Sequence, residues 1–210
     1  MEIKETINGQ ELILETGNYY FSPNSIDKGT LFLLSKVQVT ENEKVLDLGC
    51  GYGVVGIVLA KQIGGERVVM SDISEKALEL TSYNLTKNDL EGVKVVKSDG
   101  LKEITDADFT LILSNPPYHT DFSVAKAFIE EGYKKLVLGG KLVMVTKRLP
   151  WYRNKLTAVF GGVKVYEQDG YYVFVAEKRN RNRNKPQKQK QGLSKKLRRK
   201  YSENNGIGKK

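Results

Sequence analysis

The sequence contains almost no cysteine or histidine and no long apolar run. Cys50 and His119 are single occurrences in 210 residues, which excludes an intramolecular disulfide and any multi-thiolate or multi-histidine metal site. Residues 54–60 form an apolar run that Lys61 interrupts, far short of the roughly 20 residues that span a membrane. The first residues carry mixed charge with no apolar stretch behind them, so no secretory signal is visible. These absences predict a soluble, cytoplasmic protein without a membrane segment or a metal site.

Charge is divided unevenly along the chain. The whole sequence has 34 basic and 25 acidic residues and a net charge of +9. Residues 178–210 hold 14 of the basic residues and one acid, whereas residues 1–177 carry a net negative charge. The tail has too few apolar side chains to offset its ordering entropy, so we expect it to be disordered when free. Its basic cluster is typical of nucleic-acid binding, and a solvated tail that only aids solubility is the alternative.

Short apolar runs alternate with helical patterns from residue 44 onwards. Strands are predicted at residues 44–48, 67–71, 93–96, 109–113, 141–145, 163–167 and 171–175. Helices are predicted over residues 53–63, after Ser74, over a stretch from Ala125 through Leu136 that Gly139-Gly140 ends, and near residues 155–160. This order is typical of an α/β fold with a doubly wound, mostly parallel sheet. Asp169-Gly170 predicts a hairpin turn, which makes the last strand antiparallel.

The first 43 residues precede this core. Residues 11–15 and 18–21 have strand-like patterns around Thr16-Gly17, which predicts an N-terminal hairpin. We therefore expect one domain over residues 1–177, with a hairpin and lid at 1–43 and a core at 44–177, followed by the basic tail at 178–210.

A glycine-rich loop follows the first core strand. Gly49, Gly51 and Gly53 alternate directly after Asp47, and glycines allow a tight turn and close approach to a ligand. Two further acids, Asp72 and Asp99, end the next two strands. In doubly wound folds a carboxylate after the second strand accepts from ribose hydroxyls, and the third acid is placed to accept from an adenine amino group. The three acids predict a pocket for an adenosine that carries a further group.

The nature of the attached group is open between two classes. Residues 51–56 match the G-x-G-x-x-G fingerprint of dinucleotide-binding proteins. A pyrophosphate prefers positive potential, however, and this loop begins with Asp47. An acid there suits a cation such as the ammonium or sulfonium group of S-adenosylmethionine. A nicotinamide-dependent oxidoreductase is the competing reading, although the sequence has no recognisable hydride-transfer constellation.

Asn115-Pro116-Pro117-Tyr118 follows the fourth core strand. Two prolines fix the backbone and remove two N–H donors, so the Asn115 side-chain oxygen and the Pro116 carbonyl are acceptors on a rigid turn. Two converging acceptors suit an exocyclic amino group. They favour a pyramidal nitrogen and release its lone pair toward an electrophilic methyl group. Tyr118 can stack on a planar base, and no general base is needed because the methylated nitrogen loses its proton easily.

Together these motifs resemble class I S-adenosylmethionine-dependent methyltransferases of the small-domain type, and most of all the small-ribosomal-subunit guanine-N2 methyltransferases. The upstream stretch at residues 21–30 also resembles that group, and the similarity covers residues 10–177. It implies a Rossmann-like, seven-stranded sheet with a reversed last strand. It further implies S-adenosyl-L-methionine as cofactor, guanine N2 of 16S ribosomal RNA as acceptor, and ribosomal RNA or the small ribosomal subunit as partner.

The resemblance also assigns residues by motif position. The implied catalytic residues are Asn115, Pro116, Pro117 and Tyr118. The implied cofactor-binding residues are Asp47, Gly49, Cys50, Gly51, Gly53, Asp72, Ile73, Asp99, Gly100 and Asn115. The expected substrate contacts are Tyr118 and the adjoining His119. The charge of the tail, not the resemblance, predicts RNA contacts at Lys195, Lys196, Arg198, Arg199 and Lys200. Phe21, Lys28 and Thr30 resemble a lid over the cofactor.

Other acceptors and one non-enzymatic function remain open. Protein glutamine N5-methyltransferases use the same tetrapeptide, but they usually carry a helical N-terminal substrate domain. The chemistry of the loop also permits an adenine-N6 methyltransferase, although the sequence offers no separate DNA-recognition domain. An RNA-binding assembly factor that retains a cofactor pocket is the alternative from another class.

Overall fold

The computed structural model describes residues 1–16, 25–116 and 122–179. Within them lie nine strands: β1 (Glu2–Ile7), β2 (Gln10–Glu15), β3 (Val45–Leu48), β4 (Val68–Asp72), β5 (Lys94–Lys97), β6 (Phe109–Ser114), β7 (Leu136–Thr146), β8 (Lys164–Gln168) and β9 (Tyr171–Glu177). The same described ranges contain five α-helices: α1 (Lys28–Leu34), α2 (Val54–Ile63), α3 (Glu75–Lys87), α4 (Phe122–Lys135) and α5 (Leu149–Phe160). A 3-10 turn at Gly65–Arg67 leads into β4.

Seven strands form one sheet in the order β5-β4-β3-β6-β7-β9-β8. Strands β3 to β7 pair in parallel, and β9 runs antiparallel to both of its neighbours. The predicted doubly wound sheet with a reversed last strand is therefore confirmed. The strand order reverses between β3 and β6, and ligands of open α/β sheets bind at the carboxyl ends of strands at such a point.

Two apolar clusters cover the two faces of the sheet. One joins α1, α2 and the β1–β2 hairpin to the sheet through buried residues such as Leu33, Ile57 and Leu14. The other joins α4 and α5 to the opposite face through residues such as Ile129 and Leu156. The central strands are buried on both faces, which explains why they read as continuous apolar runs in the sequence.

The N-terminal hairpin is present, but its turn is not where the sequence pattern placed it. Strand β2 pairs with β1 through Asn8-Gly9, and both turn residues have positive φ, as a type I′ turn requires. The predicted second arm at residues 18–21 lies outside the described residues. Asn8-Gly9 forms the turn because a two-residue loop between paired strands needs positive φ at both positions, which asparagine and glycine adopt readily.

The free edge of β2 is covered by two side chains of α3. Asn84 accepts from the backbone N–H of Glu15 at 2.7 Å and donates to its carbonyl at 3.0 Å. Asn88, one helical turn later, makes the same pair of bonds with Ile13 at 3.1 and 2.7 Å. The two amides therefore replace a neighbouring strand and fix the hairpin on α3.

Two helix boundaries differ from the predicted ones. Helix α4 ends at Lys135, and Leu136 already belongs to β7, which runs through Gly139-Gly140 instead of beginning after them. Gly139 and Gly140 stay in the sheet because their backbone groups bond to Lys178. Helix α5 begins six residues before the predicted start, with Pro150 in its first turn, where a missing N–H costs nothing.

Neither a membrane span nor a metal cluster occurs in the part of the chain that the structure describes. No described helix is long and apolar enough to cross a bilayer. The described residues also contain no group of three or more histidine, cysteine or acidic side chains placed to hold a metal ion.

Candidate active site

The glycine loop after β3 is fastened to the end of the neighbouring strand. The N–H groups of Gly49 and Cys50 both donate to the carbonyl of Ser71, at 2.8 and 2.9 Å. Gly51 donates to the Asp72 carboxylate at 3.0 Å. All three loop glycines have positive φ, which side-chain-bearing residues adopt only with strain. Three hydrogen bonds to the end of β4 therefore define the shape of the loop.

Asp47 lies inside β3 beneath this loop. Its carboxylate is only 2% exposed and accepts the N–H of Gly56, in the first turn of α2, at 2.9 Å. Burial is the main cause that raises the pKa of Asp47 to about 7, with a smaller contribution from the charge of Asp72. A buried carboxylate with a raised pKa is stabilised in its ionised form by any cation that binds beside it.

Asp72 lies at the carboxyl end of β4. One carboxylate oxygen accepts from Gly51, and the other accepts from the N–H of Ser74 at 2.9 Å. Each carboxylate oxygen can accept more than one hydrogen bond, so these contacts orient the group and leave acceptor capacity for ligand hydroxyls. Ile73 beside it is 65% exposed, an apolar side chain at the ligand-binding edge of the sheet.

Asp99 lies at the end of β5, as its sequence position predicted, but in a different environment. Its side chain is 58% exposed and forms an ion pair with Lys102. Gly100 next to it has positive φ, and a Cβ there would lie 3.4 Å from the Phe128 ring. The same ring lies 3.8 Å from the equivalent point on Gly49, so Phe128 contacts both predicted cofactor-binding glycines. Phe128 was not in the predicted set because α4 carries it from a distant part of the sequence.

Cys50 and the rest of the loop are supported by α3. The Cys50 thiol is buried 3.7 Å from the Thr81 hydroxyl, and burial raises its pKa. Thr81 donates to the carbonyl of Gly51 at 2.8 Å. Asn84 donates to the carbonyl of Tyr52, also at 2.8 Å. Thr81 and Asn84 were missed in the sequence, since both lie on the helical face that the pattern assigns to the core.

Asn115 and Pro116 lie at the carboxyl end of β6, beside the glycine loop. Strands β3 and β6 are paired neighbours, with Asp47 opposite Leu113, so the chain segments after the two strands meet at one edge. Pro116 is buried and Asn115 half-buried. Two of the predicted catalytic positions, Pro117 and Tyr118, lie outside the described residues, as do His119 and the basic tail with Lys195, Lys196, Arg198, Arg199 and Lys200.

The amide nitrogen of Asn115 is bound by the start of α1. It donates to the Asp27 carboxylate at 3.0 Å and to the Thr30 hydroxyl at 2.9 Å. Tyr171, at the start of β9, donates to the other Asp27 oxygen at 3.3 Å. Thr30 belongs to the predicted lid, but Asp27 and Tyr171 were not in the predicted site. No local signal identifies Asp27 as a partner of Asn115, because 88 positions separate them.

The arrangement provides two chemically different walls. On the β3–β4 side, buried and half-buried carboxylates suit a cationic ligand with ribose hydroxyls. On the β6 side, an oriented amide and a proline carbonyl suit an amino group that must be held by acceptors. Both walls lie at the same edge of the sheet, where the strand order reverses.

Comparisons with known proteins identify the family of this chain. The model of the methyltransferase small domain matches residues 11–175. The ribosomal RNA small subunit methyltransferase C of Shewanella amazonensis is 38% identical over 164 residues, which cover 76% of this chain and 47% of that protein. The uncharacterized protein YbxB of Bacillus subtilis is 33% identical, over 75% of this chain and 82% of its own length.

A solved structure agrees with these relatives. The 16S rRNA N2 methyltransferase RsmC of T. thermophilus, in complex with AdoMet and guanosine, superposes with a TM-score of 0.78 and 28% identity. The matched region covers 85% of this chain and 50% of that one. The chain thus spans about half the length of the methyltransferase C relatives and of this structure. From its fold, the matched family model and these identities, we conclude that the chain belongs to the methyltransferase small domain family.

Proposed function

We propose that this protein transfers a methyl group from S-adenosyl-L-methionine to guanine N2 in small-subunit ribosomal RNA. The observation that carries the proposal is the juxtaposition of two segments at the β3–β6 switch point. The glycine loop above buried Asp47 fits a cationic cofactor, and Asn115-Pro116 beside it fits an amino-group acceptor. The names of the relatives and the guanosine bound by the RsmC structure support guanine as the acceptor base.

The cofactor, when bound, supplies a methyl group on positively charged sulfur. The protein residues hold it and hold the acceptor. Asp47 would face the positive charge of the methionyl part, Asp72 would accept from the ribose hydroxyls, and Ile73 would lie beside the base. Asp99 and Gly100 are proposed at the adenine, which requires the Asp99 side chain to exchange its ion pair with Lys102 for the ligand.

Asn115 and Pro116 act on the acceptor. The Asn115 side-chain oxygen and the Pro116 carbonyl accept from the two N–H groups of the guanine amino group, which localises the nitrogen lone pair. Tyr118 is proposed to stack on the extruded base, and His119 to border it. The product nitrogen releases its extra proton to solvent, because an aryl ammonium group is a strong acid.

RNA as the acceptor polymer has support from the described surface. Lys147 and Arg148 are exposed directly after β7, at the same edge of the sheet as Asn115. The Arg148 guanidinium lies 4.9 Å from the centre of the Phe122 ring, which stacks on Trp151 at 4.5 Å. Cations interleaved with aromatic rings are typical of surfaces that bind single-stranded nucleic acid. A ribosomal RNA substrate also implies that the protein acts in the cytoplasm.

The test is methyl transfer to small ribosomal subunits prepared from cells that lack the gene. Labelled cofactor and the purified protein should yield N2-methylguanosine in a nucleoside digest, whereas the Asn115→Ala variant should form it about 100-fold more slowly. Label in N6-methyladenosine would assign adenine as the acceptor, and label in protein glutamine would assign a peptide. If no acceptor is labelled while RNA still binds, the protein is a non-enzymatic binding factor.

We also propose that residues 1–177 are the methyltransferase domain and residues 178–210 an RNA-binding tail. The division is supported by the charge contrast in the sequence, since basic residues of the tail suit phosphate contacts. Removing residues 180–210 should weaken RNA affinity and flatten its salt dependence by about one unit of log–log slope for each lost phosphate contact. Fluorescence anisotropy with a ribosomal RNA fragment at several salt concentrations measures this. An unchanged slope would leave the tail without a role in RNA binding.

A further inference from the structure

Asp27, which lies outside the glycine loop and the Asn-Pro-Pro-Tyr tetrapeptide, contacts the side chain of Asn115. One Asp27 carboxylate oxygen accepts from the backbone N–H of Thr30 at 2.9 Å and from the Asn115 amide nitrogen at 3.0 Å. The other accepts from the Tyr171 hydroxyl at 3.3 Å. Three distant parts of the chain therefore meet on one half-buried carboxylate.

An asparagine side chain has two ends of nearly equal size and opposite chemistry. One end accepts hydrogen bonds and the other donates two. A half-turn of the amide group would present the NH₂ end to the acceptor amine, and a stabilising contact would become a repulsive one. The proposed chemistry therefore requires something that selects one of the two orientations.

The contacts of the amide nitrogen make that selection. Its two hydrogens are directed to the Asp27 carboxylate and to the Thr30 hydroxyl. An ionised carboxylate only accepts, so the reversed amide would place its oxygen against a negative charge. The Asn115 oxygen, at the other end of the planar amide group, must then point away from Asp27 and Thr30.

Asp27 itself is held in place. Its side chain caps the first turn of α1, and the short helix packs so closely that a Cβ on Gly29 would lie 2.8 Å from the Asp27 oxygen and 2.7 Å from the Tyr171 ring. A glycine is required at this position because any side chain would displace the carboxylate or the ring.

We propose that Asp27 is a positioning residue, which fixes the amide of Asn115 so that its oxygen faces the acceptor nitrogen. This role rests on the proposed function of Asn115. Asp27 does not contact the reacting atoms. It acts through Asn115, together with Thr30 and Tyr171.

The Asp27→Asn variant separates this role from helix capping. Asparagine caps a helix as well as aspartate does, so α1 should keep its first turn. Unlike a carboxylate, however, the new asparagine can also donate, and its own NH₂ group could face the Asn115 amide in place of an acceptor oxygen. We expect the kcat to fall roughly 10- to 100-fold while the KM for the cofactor changes less than threefold.

The matched control is Ser35→Ala, at the other end of the same helix. The Ser35 hydroxyl donates to the carbonyl of Phe32 at 2.7 Å and does not touch the Asp27 cluster. This variant should lose some stability in α1 with the kcat within twofold. An equal loss of kcat in both variants would show that loosening of α1, not amide orientation, is responsible.

A double-mutant cycle and a spectroscopic measurement complete the test. In an Asn115→Ala background, Asp27→Asn should have no further effect on residual turnover, and an additive loss would overturn the proposal.

The ¹⁵N-labelled side-chain amide of Asn115, assigned by its absence in Asn115→Ala, should exchange with solvent faster in Asp27→Asn than in wild type or Ser35→Ala. This signal is independent of turnover, so wild-type protein without activity would refute the proposed function, and an unchanged amide signal would refute the role of Asp27.

Discussion

The two walls of the site are assembled in different ways. The proposed cofactor wall on the β3–β4 side comes from one stretch of chain, residues 47–74, in which the glycine loop bonds to Ser71 and Asp72 at the end of the next strand. The proposed acceptor wall joins Asp27 to Asn115 and Tyr171, which lie 88 and 144 positions after it in the sequence. The first wall is therefore a local motif, whereas the second exists only when the sheet is complete.

We therefore expect a substitution in one wall to leave the function of the other wall largely unchanged. Damage to the acceptor wall should lower turnover and spare cofactor binding, because the bonds that hold the Asn115 amide come from Asp27 and Thr30 at the start of α1. Damage to the cofactor wall should weaken cofactor binding first.

The largest effect is expected for Asn115→Ala. Removing one of two acceptors for the reacting amine should lower the kcat by about 100-fold or more, comparable to the loss of one transition-state hydrogen-bond donor elsewhere. If Asn115 acts on the acceptor alone, the cofactor dissociation constant, measured by calorimetry, should stay within about threefold of wild type. A parallel loss of cofactor affinity would show that Asn115 also binds the cofactor, as the resemblance implies, and that the two walls are one unit.

Asp47→Asn is the complementary change. It keeps the size of the side chain and removes the charge that we propose faces the cofactor cation, so we expect the cofactor dissociation constant to rise roughly 10- to 100-fold. The protein should remain folded, since an amide oxygen can still accept from Gly56. A dissociation constant equal to that of wild type would exclude Asp47 from cofactor binding.

The pKa of Asp47 adds a pH dependence with a definite sign. Because burial raises this pKa from 3.8 to about 7, the unliganded carboxyl is largely protonated below pH 7. A cation binds the ionised form, so cofactor affinity should fall by up to about tenfold per pH unit below 7 and be constant above it. The unliganded protein should also lose stability as the pH rises from about 4 to 7, because the unfolded state releases this proton first. Asp47→Asn should remove both effects.

Substitutions in α3 should have the smallest and most selective effect on cofactor binding. Asn84 and Asn88 each make three hydrogen bonds and are both buried, so alanine at either position should cost about 2–3 kcal/mol of stability by chemical denaturation. Only Asn84 also holds the carbonyl of Tyr52 in the glycine loop. Asn84→Ala should therefore weaken cofactor binding several-fold, and Asn88→Ala should not. Equal effects would mean that the hairpin, not the loop contact, supports the cofactor wall.

The confirmed predictions share one physical property, which is that they depend on neighbours in sequence. Alternating apolar runs and helical patterns gave the parallel sheet, and Asp169-Gly170 marked the antiparallel hairpin. The misplaced elements fail for the opposite reason. Gly139-Gly140 has the composition of a helix stop, but Lys178 holds it within β7 through bonds that only the folded sheet provides.

The candidate site follows the same division. Its predicted residues on β3, β4 and β6 lie at one edge, because the carboxyl ends of parallel strands always do. Asp99 reaches the end of β5, but its ion pair with Lys102 depends on the loop geometry that follows. The roles assigned to Pro117, Tyr118, His119 and the basic tail stay predictions.

The amino-acid sequence alone determined the sheet and the glycine loop with its acids, because hydrophobic period and loop chemistry act over a few residues. Tertiary structure decided that Asp47 is desolvated, that Asn84 replaces a strand, and that Asp27 orients Asn115. These properties arise when distant segments exclude water from each other and exchange hydrogen bonds. No local pattern records such partners, since the free energy of these contacts belongs to the packed molecule.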